Sequence, residues 1–343
     1  MSNGTAGQTK VDLRQALAGV QRVVLTAHVD PDPDALGSAL GLYNILRREG
    51  WDALPVCVGH VPSFASSLPG FEALVQFPSR MENARGVPPI IQPGDALIVC
   101  DTPVADRMGA FYQVHREQLA ECQVIVFDHH YTNDQFGTIN IVDPTAAATA
   151  EVICETLETS GMALDAASAS CFMIALFADT QTFRTENSTP RSINWGYRLA
   201  QAGAPIFETA QLLFKTRSLS SIRLWAQTLQ QVHIGDGVIW TPVTQAMLKT
   251  ADATMEDTEG LVDFLLSGVD VRVAIVLKEE VPGETKVSMR TVPGVDATRI
   301  TGAFGGGGHQ RAAGCTIFAA PAQAAEQLLP LVQAEMAVGA PGA

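Results

Sequence analysis

Residues 28–34 read His-Val-Asp-Pro-Asp-Pro-Asp, placing one histidine and three aspartates within seven positions. Like charges that close repel and raise one another's pKa. The cluster is therefore either a solvated acidic turn or the lining of a strongly positive site. Three further segments carry the same residue types: Asp101 after "ALIVC", the run Asp128-His129-His130 after "QVIVF", and Asp179 in "LFADTQTF". Histidine and carboxylate donors without thiolates suit Mn²⁺, Mg²⁺ or Fe²⁺ better than a structural zinc, and there are more of them than one ion needs. Two divalent ions roughly 3.5–4 Å apart, sharing a carboxylate, clamp the attacking and leaving oxygens in phosphoryl transfer. A pair of dications also accounts for the crowding of the aspartates.

Singly, each segment has a plainer reading. An Asp-rich loop is ordinarily a solvated turn or a helix N-cap, adjacent histidines occur by chance, and an aspartate at a strand end is commonly a cap. The recurrence of four such segments in one half of the chain favours the metal site. Asp30 adds little beside Asp32 and Asp34 and is assigned to capping or solvent. His60, His115 and His233 stand away from any acidic cluster and read as structural.

The elements that must position these residues follow from the apolar pattern. Residues 22–27, 53–58, 95–101 and 122–128 are short, nearly continuous apolar runs, as in parallel strands buried on both faces. Leu36, Leu40, Leu42, Ile45 and Leu46 recur at helical spacing over 35–48. A helical block spans about 146–177, with a break near Ser160 and Gly161. Three acidic sites, at residues 28–34, at Asp101 and at Asp128–His130, lie just past the carboxyl ends of strands, where open α/β sheets bind ligands. Residues distant in sequence thus converge on one crevice.

Beyond about residue 187 the character changes. Residues 190–230 read as helical, and strands reappear at 231–235, 237–243, 271–280 and 285–292. The tail from about 320 reads as a last helix that frays over 338–343. The expectation is an α/β chain with three parts: a parallel-sheet domain with helices on both faces over 1–190, a helical connector over 191–230, and a smaller mixed-sheet α/β domain over 231–343.

Composition narrows the partners. Of 343 residues, 47% are apolar and 17% charged, enough for a substantial core, and the formal net charge is −14. That balance argues against long duplex nucleic acid, whose binding runs on phosphate neutralisation; a short anion held by a few local cations remains open. The six cysteines are scattered in mostly apolar strings, the first ten residues lack an apolar signal core, and no apolar run approaches a bilayer span. A cytoplasmic protein without membrane contact is expected, and a homodimer is compatible with the sequence.

The segments "HVDPDPDALGS", "CDTPVADRMG", "DHH" and "ADTQTF", in that order, together with "FGGGGHQRAAG" at 304–314, resemble the motifs of the DHH phosphoesterases with their DHH-associated C-terminal domain, in the nanoRNase and pAp-phosphatase branch. The resemblance covers roughly residues 20–315. It implies that His28 and Asp32 hold one ion, that Asp34, His129 and Asp179 hold the other, and that Asp101 bridges the two. It also implies that His130 touches the substrate or leaving group and that Asp128 orients the histidine pair, so His130, Asp101 and Asp128 form the catalytic set.

In the second domain, Arg290 and His309 would anchor a terminal phosphate, with Gly306, Gly307 and Gly308 offering backbone N–H groups and Arg311 adding charge. Four glycines could instead be a flexible linker, but this run sits between apolar segments. The resemblance places the active site between the domains. One departure is Gln181, which stands where many relatives have glycine and could narrow the substrate range. The implied activity is Mn²⁺-dependent (Mg²⁺ as second choice) hydrolysis of short oligoribonucleotides to mononucleotides and of 3′-phosphoadenosine 5′-phosphate (pAp) to AMP. The alternatives are a phosphodiesterase for linear dinucleotides such as pApA and a non-catalytic nucleotide sensor.

Overall fold

Alternation along the central strands sorts side chains into two cores. Val23, Leu25, Ile98, Cys100, Ile125 and Phe127 are buried in one, and Val24, Leu97, Val99, Val124 and Val126 in the other. A strand apolar on both sides must be covered on both sides. A computed structural model describes residues 11–214 and 217–338 and shows this arrangement. The strands are β1 (Arg22–Ala27), β2 (Asp52–Val58), β3 (Val75–Phe77), β4 (Asp95–Cys100), β5 (Gln123–Asp128) and β6 (Ile139–Val142). They form one sheet in the order β3-β2-β1-β4-β5-β6, and every pairing is parallel. The direction of winding reverses beside β1, between β2 and β4, and ligands bind at the carboxyl ends around such a point. The two edge strands, β3 and β6, escape the sequence reading because three or four residues carry too little pattern.

Three helices frame the carboxyl edge of β1, β4 and β5. Pro33–Arg48 starts at an Asp32 N-cap with proline in its first turn. Thr149–Thr159 and Ala166–Thr180 are separated at the break near Ser160. The first and third pack closely. A Cβ on Gly37 would lie 2.6 Å from the Cys171 carbonyl oxygen, and one on Gly41 2.3 Å from the Phe172 ring. Two glycines one turn apart thus let the helix carrying Asp34 approach the helix carrying Asp179, which fixes the spacing of those carboxylates.

By internal contacts the chain divides into two units, Met1–Thr216 and Arg217–Ala343. Helices Pro190–Gln201 and Ile206–Phe214 belong to the first and Leu219–Leu229 to the second; together they form the helical stretch between the two sheets. The second sheet contains β7 (His233–Gly235), β8 (Val238–Val243), β9 (Val273–Val281), β10 (Glu284–Thr291), β11 (Gly307–His309) and β12 (Ala312–Ile317), in the order β11-β12-β10-β9-β8-β7. It is mixed: β8 and β9 run parallel and the other pairs antiparallel. The last helix is Pro321–Val338; the fraying expected over 338–343 falls, apart from Val338, outside the described residues.

Candidate metal centre

The site begins where β1 ends. His28 follows Ala27, and Asp32 caps the next helix: its Oδ1 accepts from Ala35 N–H at 3.0 Å, while its Oδ2 lies 3.9 Å from His28 Nε2. Asp34, fully buried in the first turn of that helix, takes the Thr149 N–H on Oδ2 (2.7 Å), and on Oδ1 the Ala150 N–H (3.2 Å) and the Ser38 hydroxyl (3.2 Å). Two helix N-termini thus point at one carboxylate, the favourable end of the macrodipole for an anion. Asp179 sits at the opposite end of its helix, in the last turn of Ala166–Thr180, where the dipole disfavours a bare negative charge. Asp101 follows β4 with a left-handed backbone, φ +53°, a conformation that aspartate and asparagine tolerate better than most residues.

These side chains converge into three triads, each with donor atoms mutually within 4.8 Å: His28, Asp32 and Asp101; Asp34, His129 and Asp179; Asp101, His129 and His130. Asp101 belongs to the first and third. Its Oδ2 is 3.8 Å from His28 Nε2 and its Oδ1 3.6 Å from His129 Nε2, so one oxygen faces each histidine. His129 Nε2 also lies 3.2 Å from Asp179 Oδ2 and 3.8 Å from Asp34 Oδ2. Oxygen and nitrogen donors about 2.1 Å from a shared cation stand about 3 Å apart at right angles. Donors 3.2–3.9 Å apart therefore need only a small contraction to hold a divalent ion, and the donor chemistry fits one.

The histidines are aimed by their other nitrogens. His28 Nδ1 lies 2.9 Å from the Val29 carbonyl and His129 Nδ1 3.3 Å from that of Ala146. A carbonyl only accepts, so Nδ1 carries a proton and Nε2 is the atom turned inward, the usual support for a metal-binding imidazole. Asp128 organises the turn that follows β5. Its Oδ1 accepts from the backbone N–H of His129 and His130 (2.8 and 3.2 Å) and from His130 Nδ1 (2.7 Å), and its Oδ2 accepts from Asn133 Nδ2 at 2.6 Å.

Electrostatics match a site built around positive charge. Burial raises the carboxyls of Asp34 and Asp101 well above their ordinary range, and neighbouring aspartates push them further, Asp179 foremost for Asp34 and Asp32 foremost for Asp101. Burial pulls His129 down, but the hydrogen bond and charge of Asp179, with Asp101 and Asp34, outweigh it and raise the ring well above its usual value. Burial also pushes Asp128 up, yet the bonds from His130 and Asn133 prevail and hold it below the usual carboxylate value.

Some contributors carried no signal in the sequence. The Thr149 hydroxyl, buried, donates to Asp101 Oδ1 at 2.9 Å; Ser38 and Asn133 support Asp34 and Asp128 as described. Conversely, Asp30 is exposed and accepts from the His60 N–H at 2.7 Å. His115 is buried, bonded to the Phe111 carbonyl and the Ile90 N–H, and His233 stacks on Trp240. Gln181 caps its helix at φ +46°, the left-handed conformation glycine adopts without strain, and Thr182 and Phe183 continue in it at +58° and +62°.

In the second unit, Arg290 and His309 both pair with Ala312, from β10 and β11 respectively. Residues directly opposite in antiparallel strands share a face, so the two stand on one side of the sheet. Arg290 Nε lies 3.1 Å from Asp263 Oδ1, and the Arg311 carbonyl accepts from the Thr291 N–H at 3.0 Å. Half of the glycine run forms strand rather than an open loop: Gly307 and Gly308 pair with Gly314 and Ala313, and Gly305 and Gly306 lead into them. A Cβ on Gly306 would lie 2.2 Å from the Gly314 carbonyl oxygen. Close strand approach therefore accounts for Gly306, while Gly307, Gly308 and His309 are exposed.

Comparison with known proteins agrees with this architecture. The model of the DHH family N-terminal domain matches residues 22–177, and that of the DHHA1 domain matches residues 241–337. The chain is 31% identical over 315 residues to the bifunctional oligoribonuclease and PAP phosphatase NrnA of Thermus thermophilus, covering 92% of this chain and 90% of that protein. It is 24% identical to the protein of the same name from Bacillus subtilis, over 90% and 93% of the two chains. Among solved structures, an exopolyphosphatase-related protein from Bacteroides fragilis superposes with a TM-score of 0.86 at 23% identity, covering 95% of this chain and 96% of that one, which shows a shared fold. Parallel sheet, mixed sheet and acidic-histidine clusters together define a hydrolase with the metal-binding clusters typical of phosphoesterases. The chain belongs to the DHH phosphoesterase family, with the DHH/DHHA1 architecture of its NrnA-like branch. Among the described residues, no helix is long and apolar enough to cross a membrane.

Proposed function

We propose that the protein hydrolyses short oligoribonucleotides to mononucleotides and pAp to AMP with two divalent cations, Mn²⁺ ahead of Mg²⁺. The carrying observation is the position of Asp101, with one carboxylate oxygen toward His28 and the other toward His129. On this reading His28 and Asp32 hold one ion, Asp34, His129 and Asp179 hold the other, and Asp101 serves both. Bound there, the cations supply Lewis acidity toward phosphate oxygens and lower the pKa of water.

The rest is the work of the chain. The Val29 and Ala146 carbonyls keep Nε2 of His28 and His129 pointed inward. Asp128 fixes His130, which contacts the substrate or leaving group. Arg290, Gly306, Gly307, Gly308, His309 and Arg311 bind a second phosphate of the substrate, with the guanidinium as a planar fork. A second phosphate-binding group of residues suits substrates with two phosphate-bearing ends. The names of the Thermus and Bacillus relatives support this substrate class.

The test is a substrate panel with Mn²⁺: pAp, pApA, short RNA, short DNA and pyrophosphate. Release of phosphate from pAp and of monomers from short RNA is expected. Exclusive turnover of pyrophosphate, or tight nucleotide binding without turnover, would overturn the assignment, and preference for pApA would move it to linear dinucleotides.

A further inference from the structure

Arg191 is the second residue of the Pro190–Gln201 helix, where a cation faces the positive end of the dipole. Its side chain is anchored by three carboxylates. Nε lies 2.7 Å from Glu151 Oε1 and 2.6 Å from Glu155 Oε1, and Nη1 lies 2.7 Å from Asp143 Oδ2. Asp143 and Glu151 are the two ends of a strap that wraps behind the metal centre. At one end, Asp143 N–H donates to the Asp128 carbonyl at 3.1 Å, and its Oδ1 accepts from the Thr145 N–H and hydroxyl at 2.9 and 2.7 Å. At the other, Glu151, only 1% exposed, accepts the Ala147 N–H on Oε2 at 2.9 Å.

Between these anchors lie the backbone groups that touch the centre. The Ala146 carbonyl accepts a hydrogen bond from His129 Nδ1, the Thr149 and Ala150 N–H groups hold Asp34, and the Thr149 hydroxyl holds Asp101. None of these contacts involves Arg191 directly. Each comes from a segment with a carboxylate at either end facing the Arg191 guanidinium. Asp143 accepts a hydrogen bond from Nη1. Glu151 Oε1 meets Nε as an ion contact, and the Nε hydrogen bond goes to Glu155, one turn further along the same helix. A planar guanidinium sets these carboxylates in a mutual geometry that a lysine ammonium does not reproduce.

We propose that Arg191 is a positioning residue for the metal centre, setting residues 143–151 so that they orient His129, Asp34 and Asp101. The inference rests on the two-cation reading above and adds a residue to it. A purely structural role is distinguishable, because Arg198, on the same helix, pairs with the exposed Glu158 of the same partner helix at 2.8 Å and touches no part of the strap.

The test uses the full-length protein with Mn²⁺ affinity read from the electron paramagnetic resonance of unbound Mn²⁺, and thermal unfolding followed in EDTA. Three variants are compared with wild type: Arg191→Lys, the double variant Arg191→Met with Glu151→Gln (which removes the charge of the nearly fully buried Glu151 along with its partner), and Arg198→Ala. Loss of a group supporting metal ligands typically weakens binding about 10- to 100-fold. That loss is expected in both Arg191 variants, and wild-type affinity in Arg198→Ala even if its melting temperature falls as far. Wild-type Mn²⁺ affinity in both Arg191 variants, or an equal loss in Arg198→Ala, would overturn the positioning role alone. Absence of Mn²⁺ binding by the wild type would overturn the two-cation reading and this inference with it.

Discussion

Replacing Asp101 by asparagine should make the metal-free protein more stable and the metal-loaded protein less so. Asparagine suits the site: it accepts the left-handed backbone at φ +53°, and its carbonyl oxygen can still take the Thr149 hydroxyl. What it removes is charge. Asp101 and Asp32 offer oxygens within 4.8 Å of each other, and at an effective dielectric near 20 two unit charges at that separation repel by about 3.5 kcal/mol. Asp32 is 52% exposed, His129 supplies opposing charge, and Asp101 itself retains a proton to above the ordinary carboxylate range, so the net gain without metal is smaller, about 1–2 kcal/mol. For a unit of roughly 200 residues that raises Tm by about 2–8 °C. With Mn²⁺ the order reverses, since wild-type protein at 100 times Kd gains about 2.7 kcal/mol per site, most of which the variant forgoes. The assay is thermal unfolding of both proteins in EDTA and in excess Mn²⁺. An asparagine variant less stable than wild type in EDTA, or stabilised equally by Mn²⁺, would refute the claim that a cation offsets carboxylate repulsion here.

Three other outcomes follow from the same geometry. Thr149→Val keeps the shape and the N–H bond to Asp34 but loses the hydroxyl on Asp101; Mn²⁺ affinity by calorimetry should fall about 10-fold or more, with little change in metal-free stability. Ligands must be deprotonated to bind, and Asp34, Asp101 and His129 all hold protons above their ordinary pKa values. Mn²⁺ binding should therefore release protons and strengthen as pH rises above the ordinary carboxylate range; calorimetry in buffers of different ionisation enthalpy would count the protons, and a pH-independent affinity would contradict the electrostatic picture. Gly306→Ala, whose methyl would lie 2.2 Å from the Gly314 carbonyl oxygen, should force β11 away from β12, weakening nucleotide binding at least 10-fold while Mn²⁺ affinity stays at the wild-type value.

The candidate ligands were legible because ligation is done by side chains of few types, and because β-branched runs mark the strand ends that carry His28, Asp101 and Asp128. Their supports were not. The Ala146 carbonyl and the Thr149 and Ala150 N–H groups act through the backbone, which has no identity in a sequence, and only the fold brings the last two to Asp34, more than a hundred positions away. Arg191 was silent for a related reason, since its three acidic partners lie 36 to 48 residues upstream. The edge strands β3 and β6 were too short to show a period. The glycine run could be taken as a loop shaped for an anion, because glycine is equally suited to backbone that must pass within contact of a neighbouring strand, as at Gly306.

The central claim is that one chain holds two cations joined by Asp101, and a Mn²⁺ titration monitored by electron paramagnetic resonance tests it most directly. Two bound ions per chain are expected, magnetically coupled through the shared carboxylate, with the coupling lost in Asp101→Asn. A single bound ion, none, or two uncoupled ions indifferent to that substitution would contradict it.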